Sequence, residues 1–358
     1  MNEFEIDDMR NENEFKGITF SKFKRLDAKK ELLNSLFNGK IEQALHWSAE
    51  FICCGSFIDL WDIILNFVGK HVHLGNPKLP IYLELRFNNF KQMVQNGYSG
   101  FEINMRNNDS IRKLFAEVIT ILCISKKKHS IESVKIKRQE EFDITNMSAK
   151  LKAPNVQYAM DIFKKDDPKE LYIAINEFTY HLSKDSLNAL EACYWLEWIL
   201  EFENLCKKKK ESCVCERRTF VMVDEKFQKE PIWIIWDCIF NTKSVVCEVT
   251  KKILKSLFEL FTMRYTSGSK RKRKYLLYFA ISLLTEKCNI NTSIIENKTT
   301  VDNVTKKINL IYKEIKKNEV SPAMSYLFTG IEKSNREKTF EKLEYMNNIN
   351  TIIRPTET

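Results

Sequence analysis

Five adjacent cations, Lys270, Arg271, Lys272, Arg273 and Lys274, follow Ser267-Gly268-Ser269. Like charges in a row repel one another and gain nothing from folding, so such a run at a loop-to-helix junction suggests an acidic partner. Phosphate backbones, anionic surfaces and nuclear-import receptors all fit that description. A second run, Lys207, Lys208, Lys209 and Lys210, with Arg217 and Arg218 nearby, would extend the same patch. The competing structural account is a solvated loop between helices, because runs of this kind are common on protein surfaces.

Three other constellations offer chemistry. Cys206, Cys213 and Cys215, with Cys193 one helix earlier, could ligate a tetrahedral metal, and the surrounding Lys and Arg would favour their thiolates. Their C-x6-C-x-C spacing departs from the paired knuckle and no His joins them, so reduced thiols are expected and no metal or cofactor is assigned. His71 and His73 flank Val72; in an extended segment their rings point the same way and, with Asp59 or Asp62, would bind a metal or serve as acid and base. No third partner has suitable spacing, and the Asn76-Pro77-Lys78-Leu79-Pro80 corner explains the region structurally. Glu50 and Glu197, with Asp62 and Asp237, could be read as paired hydrolase carboxylates, although nothing in the spacing requires it.

The elements that would hold these residues are marked by tryptophan. Ala44 and Trp47 share a helical spacing with Ala192 and Trp195, and each Trp is preceded by a ring, His46 or Tyr194. A second Trp directly before an Asp follows in each half, as Leu60-Trp61-Asp62 and Ile235-Trp236-Asp237. Leu114-Phe115-Ala116 and Tyr278-Phe279-Ala280 close the two halves. Three anchors in the same order suggest one helical module used twice. Trp47, Trp61, Trp195, Trp198, Trp233 and Trp236 could stack nucleic-acid bases, but their apolar neighbours make them core anchors first. Asp62 and Asp237 are the expected acceptors for the indole N–H groups.

Composition agrees with helices. The chain of 358 residues has only 9 Gly and 7 Pro, too little punctuation for an all-β protein. The net charge of +9 speaks to solubility and acidic partners rather than to any one ligand. Ten cysteines scattered through apolar runs, and an acidic start unlike a signal peptide, point to a reducing, intracellular setting. The longest apolar stretches are broken by Glu117 and Asp237, so no membrane span is expected. Walker, Rossmann, zincin, nucleophile-elbow and kinase motifs are absent from the sequence, which removes the usual enzyme signatures.

Periodicity then lays out the chain. Residues 1–24 read as an acidic, disordered arm. Helices are expected from near Asp27 to Asn38-Gly39, from Ile41 to Cys54, from Phe57 to Val68, from Tyr82 to Val94 and from Ser110 to Ile124, making module 1 at 25–125. Residues 126–154 read as a linker. Module 2, at 155–290, begins at Asp166-Asp167-Pro168 and carries helices near 170–182, 186–205, 247–265 and 274–287, with another that begins at Pro231 and carries Trp233 and Trp236. A basic, Cys-bearing insertion at 206–230 interrupts it, with a short β-hairpin near 213–224. Residues 289–305 are Asn/Thr-rich and read as loop; the tail at 291–358 adds peripheral helices and a flexible end.

The block Gly39-Lys40-Ile41-Glu42-Gln43-Ala44-Leu45-His46-Trp47, continuing to Gly55 and then Leu74-Gly75-Asn76-Pro77-Lys78-Leu79-Pro80, resembles uncharacterised helical proteins of large nucleocytoplasmic DNA viruses of the mimivirus kind. The resemblance spans about 25–290 and implies a protein of the host cytoplasm, viral factory or particle; the basic run at Lys270–Lys274 leaves the nucleus open as well. A weaker likeness is to the helical collar of clamp-loader-type proteins, where an Ala-Leu-aromatic helix also precedes a Leu-Gly-x-Pro corner. The ATPase module of those proteins is missing, so no ATP-driven activity carries over.

The sequence thus predicts an all-α protein of two related modules that binds rather than catalyses. The leading expectation is a scaffold or binding protein engaging viral or host proteins through helix faces and the basic loop. The alternative is a DNA- or RNA-binding accessory factor in viral replication or transcription.

Overall fold

The computed structural model describes residues 3–98, 102–137, 142, 144–242, 247–320, 339–340 and 342–343. Among them the regular structure is helical, no strand forms, and a single isolated bridge joins Ile18 to Lys24. The all-α expectation is met, but the hairpin near 213–224 is not. That segment is irregular coil because its polar groups bond elsewhere: the Cys215 N–H donates to the Lys229 carbonyl at 2.9 Å, and Arg218 turns inward.

The chain divides into two units, neither continuous in sequence. The first takes 1–67, 85–125 and 295–358. Its helices are α1 (Arg25–Phe37), α2 (Ile41–Cys53), α3 (Phe57–Phe67) and α5 (Asp109–Ile124), with the later part of α4 (Leu79–Gln95). Gly39, at φ +68, ends α1 as the Asn-Gly signal predicted, and the Asn108 side chain caps α5 by accepting from the Ile111 N–H at 3.2 Å. Helix α2 packs on α1, α3 and α5 and buries an unbroken stretch from Ala44 to Cys53.

The second unit takes 68–84 and 126–294, so the expected linker and the His71–Pro80 corner both belong to it. Its helices are α6 (Tyr172–Leu182), α7 (Ala189–Lys209), α8 (Ile232–Phe240), α9 (Glu248–Thr262) and α10 (Lys274–Thr285). Helix α10 is central: Leu276 to Leu284 are all buried, and α6, α7, α9 and the π-helical turn Val68–Val72 pack around it. A helix apolar on every face must be enclosed in this way. The π-helical turn approaches so closely that a Cβ on Gly69 would lie 2.7 Å from the Tyr275 backbone. Gly75 is pressed in the same way: a Cβ there would lie 2.3 Å from the Lys126 carbonyl oxygen, at the start of the stretch after Ser125 that belongs to this unit.

Two stretches expected to be loose complete the first unit. Residues 298–307, which begin in the expected loop and run past its end at 305, form α11 (Lys298–Lys307), capped by Asn297 and packed on α5; α12 (Asn309–Lys316) follows on α2, in the tail expected to add peripheral helices. The amino-terminal arm is likewise docked rather than disordered. Ile6 exchanges two 2.9 Å bonds with the Asn107 amide, and Phe15 and Phe20 are buried beneath the Arg10 guanidinium. Asp8, one of the acids of this arm, is buried in an ion pair with Arg10 at 2.6 Å.

The tryptophans are interior anchors, as expected: all six are at most 4% exposed. The indole N–H groups of Trp61 and Trp236 do not reach the aspartates that follow them. Among the described residues those of Trp61, Trp195 and Trp236 meet no hydrogen-bond partner, and Trp233 donates to the Phe227 carbonyl at 2.7 Å. Large buried aromatic area outweighs an unmet N–H whose desolvation costs about 1–3 kcal/mol. Asp237 instead accepts from Arg218 at 3.0 Å and from the Asn241 amide at 2.7 Å.

Candidate functional site

The basic side chains of the two runs part company at the end of α7. Lys207, Lys208 and Lys209 occupy its last turn, where the helix dipole favours cations, and Lys210 closes it in the left-handed region at φ +59. One turn back, buried Glu203 binds Lys207 at 2.8 Å. The same carboxylate holds Lys270 at 2.6 Å, and Lys270 also reaches Glu230 at 2.9 Å. Both runs therefore converge on one glutamate. Glu230 further accepts from the Tyr265 hydroxyl at 2.6 Å and from Ser267. Burial pulls its carboxyl upward, but Lys270 and these donors prevail and hold it below its usual value.

The second run is not a loop but the one-turn helix Ser269–Lys272 leading into α10. Helical geometry sends successive side chains in different directions. Lys270 is 4% exposed and Arg273 2%, whereas Arg271 and Lys272 face outward. Arg273 donates to the carbonyls of Phe261 and Met263, satisfying the end of α9. Lys274 is half-buried and pairs with Glu197 at 2.7 Å, whose Oε1 also accepts from the Tyr278 hydroxyl at 2.6 Å. Burial, with Glu197 alongside, raises the Tyr278 phenol.

Arg218 also departs from the expected patch, at 1% exposure. Its guanidinium grips Asp167 through two bonds of 2.6 and 2.7 Å. Its Nε reaches Asp237, and the carbonyls of Ile162 and Glu216 take the remaining donors. Burial works against the charge, but Asp167 and then Asp237 outweigh it and raise the guanidinium above its usual value. Asp167, read as a helix-start signal, is thus an internal counter-ion; only a 3-10 turn, Lys169–Leu171, intervenes before α6.

Arg218, Lys270 and Arg273 are therefore internal fasteners, drawn in by carboxylates and helix-end carbonyls that would otherwise be buried without partners. The outward set is Lys207, Lys208, Lys209, Lys210, Arg217, Arg271 and Lys272. Arg271 and Lys274 also line an open cleft of about 850 Å³ with Lys135, Lys137, Glu197 and Ser133. The lysines of that cleft come from the stretch expected to be a linker, where Lys135 and Lys137 alternate with Val134 and Ile136.

The other candidates resolve differently. The π-helical turn replaces the extended segment assumed for His71 and His73, so their rings diverge. His73 is buried against Phe279, with centroids 4.9 Å apart, and burial takes its pKa down to about 4. Asp59 binds Arg25 at 3.0 Å. Glu50 accepts the Ser21 N–H at 2.9 Å and the Ser21 hydroxyl, and full burial pushes its carboxyl up. Burial likewise overrides the neighbouring lysines at the cysteines: the thiols of Cys193, Cys206, Cys213 and Cys215 are all raised, Cys213 to about 12. No disulfide forms among the ten cysteines, and among the described residues no group of three or more His, Cys, Asp or Glu is arranged to hold a metal ion.

The sequence reading missed Glu197, Glu203 and Glu230 as counter-ions. Glu203 and Lys207 stand four apart on one helix, a legible signal. Glu230 and Lys270 lie 40 apart and gave none. No family model, curated protein or solved structure matches the chain. Among the described residues no helix is long and apolar enough to cross a membrane.

Proposed function

We propose that the protein is a non-enzymatic helical binding protein whose second unit engages the phosphate backbone of DNA or RNA. One observation carries this: a single carboxylate, Glu203, takes both Lys207 and Lys270, so the two basic runs share one surface instead of forming separate loops. From that junction Lys208, Lys209, Lys210, Arg271 and Lys272 face outward, and Arg271 continues to the cleft holding Lys135 and Lys137. Cations spaced along a surface suit a phosphate chain better than a compact anion.

A scaffold role for viral or host proteins is the second reading. It is favoured by the apolar groove of about 410 Å³ lined by Phe220, Ile239, Phe240, Leu254 and Phe258, with Phe240 still 37% exposed. Viral origin rests on the resemblance of residues 39–80 alone. Descent of both halves from one module has partial support: α2 pairs with α1 and α5 as α7 pairs with α6 and α10. The second tryptophans differ, however, Trp61 resting on Phe115 and Trp236 on Phe258 and Phe261.

The experiment is salt-dependent binding of single- and double-stranded oligonucleotides to the wild type and to a Lys208→Glu, Lys209→Glu, Arg271→Glu variant. All three side chains are exposed, so folding should survive. Affinity is expected to fall at least tenfold, and the salt slope to flatten by about 0.9 for each phosphate no longer neutralised. Equal retention of both proteins at low and moderate salt would remove nucleic acid in favour of the scaffold.

A further inference from the structure

His71 and His129 stand opposite each other in the second unit, 58 positions apart in sequence, with Nδ1 atoms separated by 3.2 Å. The backbone holds them there. Lys128 N–H donates to the Val72 carbonyl at 3.2 Å and Ser130 N–H to the Lys70 carbonyl at 2.9 Å. These bonds bracket the pair on both sides, with the two segments running in opposite senses, so His129 lies directly across from His71. The rings meet edge to face, 87° apart. His129 is exposed and His71 partly so.

We propose that this pair is a zinc site, in which both Nδ1 atoms bind one Zn2+ ion and water completes the coordination. Two nitrogens on a tetrahedral ion at Zn–N of about 2.0–2.1 Å lie ~3.3 Å apart. Cis ligands of a square-planar ion would sit at ~2.9 Å. The observed separation matches the tetrahedral value, so zinc fits better than square-planar copper or nickel. For the ion to enter, both rings turn until their Nδ1 lone pairs meet at one point beside the line that joins them. A hydrogen bond between the two Nδ1 atoms needs one protonated and one bare nitrogen, and shifting that proton to the far nitrogen of its own ring leaves both ready to ligate.

The charges nearby permit this. Lys128 is directed to Glu286 at 2.8 Å, and Lys70 lies over the Tyr275 ring at 5.5 Å. With two protein ligands among the described residues the ion would exchange readily, as suits a sensing or partner-bridging site rather than a structural one.

The test uses the full chain labelled with 15N-histidine and titrated with Zn2+ to equimolar. The Nδ1 signals of His71 and His129 should move together, while the buried rings of His46, His73 and His181 stay in place as internal controls. His129→Ala, a change at an exposed position, should weaken zinc binding at His71 at least tenfold with far-UV circular dichroism unchanged. Zinc that leaves both rings unmoved, that is taken up by the cysteines alone, or that shifts His71 equally in His129→Ala would overturn the proposal.

Discussion

At Arg218 five bonds converge on one guanidinium, and every acceptor is a carboxylate or a main-chain carbonyl. Such a group is worth little as a net attraction and a great deal as a neutraliser, because Asp167 is itself only 4% exposed. Arg218→Ala is therefore expected to cost about 3–5 kcal/mol, read as a fall in the urea midpoint. Arg218→Lys should recover little of it, since an ammonium cannot span both oxygens of Asp167 while also reaching Asp237. A midpoint within experimental error of the wild type for either variant would contradict this account. The adjacency Arg217-Arg218 looked like surface charge, and one of the two is. What separates them is a partner 51 residues away, which no local pattern reports.

At the scale of elements, helix existence was largely legible and helix surroundings were not. Gly39 marked a true terminus, and the uncharged run after Lys274 marked a helix enclosed on all sides. The Asn/Thr-rich stretch at 298–307 concealed a helix because Val301 is its only buried residue; an Asn297 cap and docking on α5 supply what composition lacks. The π-helical turn after α3 was hidden for another reason: its geometry follows from the tight approach of Gly69 to Tyr275. Gly69→Ala puts a methyl into that backbone and is expected to cost about 1–3 kcal/mol, measured as a lowered thermal midpoint. An unchanged midpoint would mean that the turn can back away from α10.

For the whole molecule, the sequence indicated two bodies but could not assign their membership. Stretches distant along the chain, such as 3–20 and 309–316, enter the first unit through contacts of individual side chains, among them Lys313 with Glu3 at 2.7 Å. A property of the entire chain follows from its histidines. Burial holds the pKa of His46 down to about 3 and those of His73 and His181 to about 4, from an ordinary 6.5. The unfolded chain therefore binds protons between pH 6.5 and about 4 that the native chain refuses. The stability these neutral rings confer is complete above pH 6.5 and is lost as pH falls through that window, on the order of 2–3 kcal/mol per ring. Urea midpoints at pH 7.5, 6 and 5 should fall in that order; a flat profile would show that the rings are protonated in place.

The division of the 270–274 run into inward and outward members has a consequence for how any other molecule can address it. A receptor that reads linear peptides needs consecutive cations on an extended strand, and here that strand is wound into a helical turn with Lys270 and Arg273 locked behind it. Such a reader would meet a broken word. Only a surface that accepts Arg271 and Lys272 together with their neighbours on α7, as a shape and not as a string, can recognise this corner without first unfolding it.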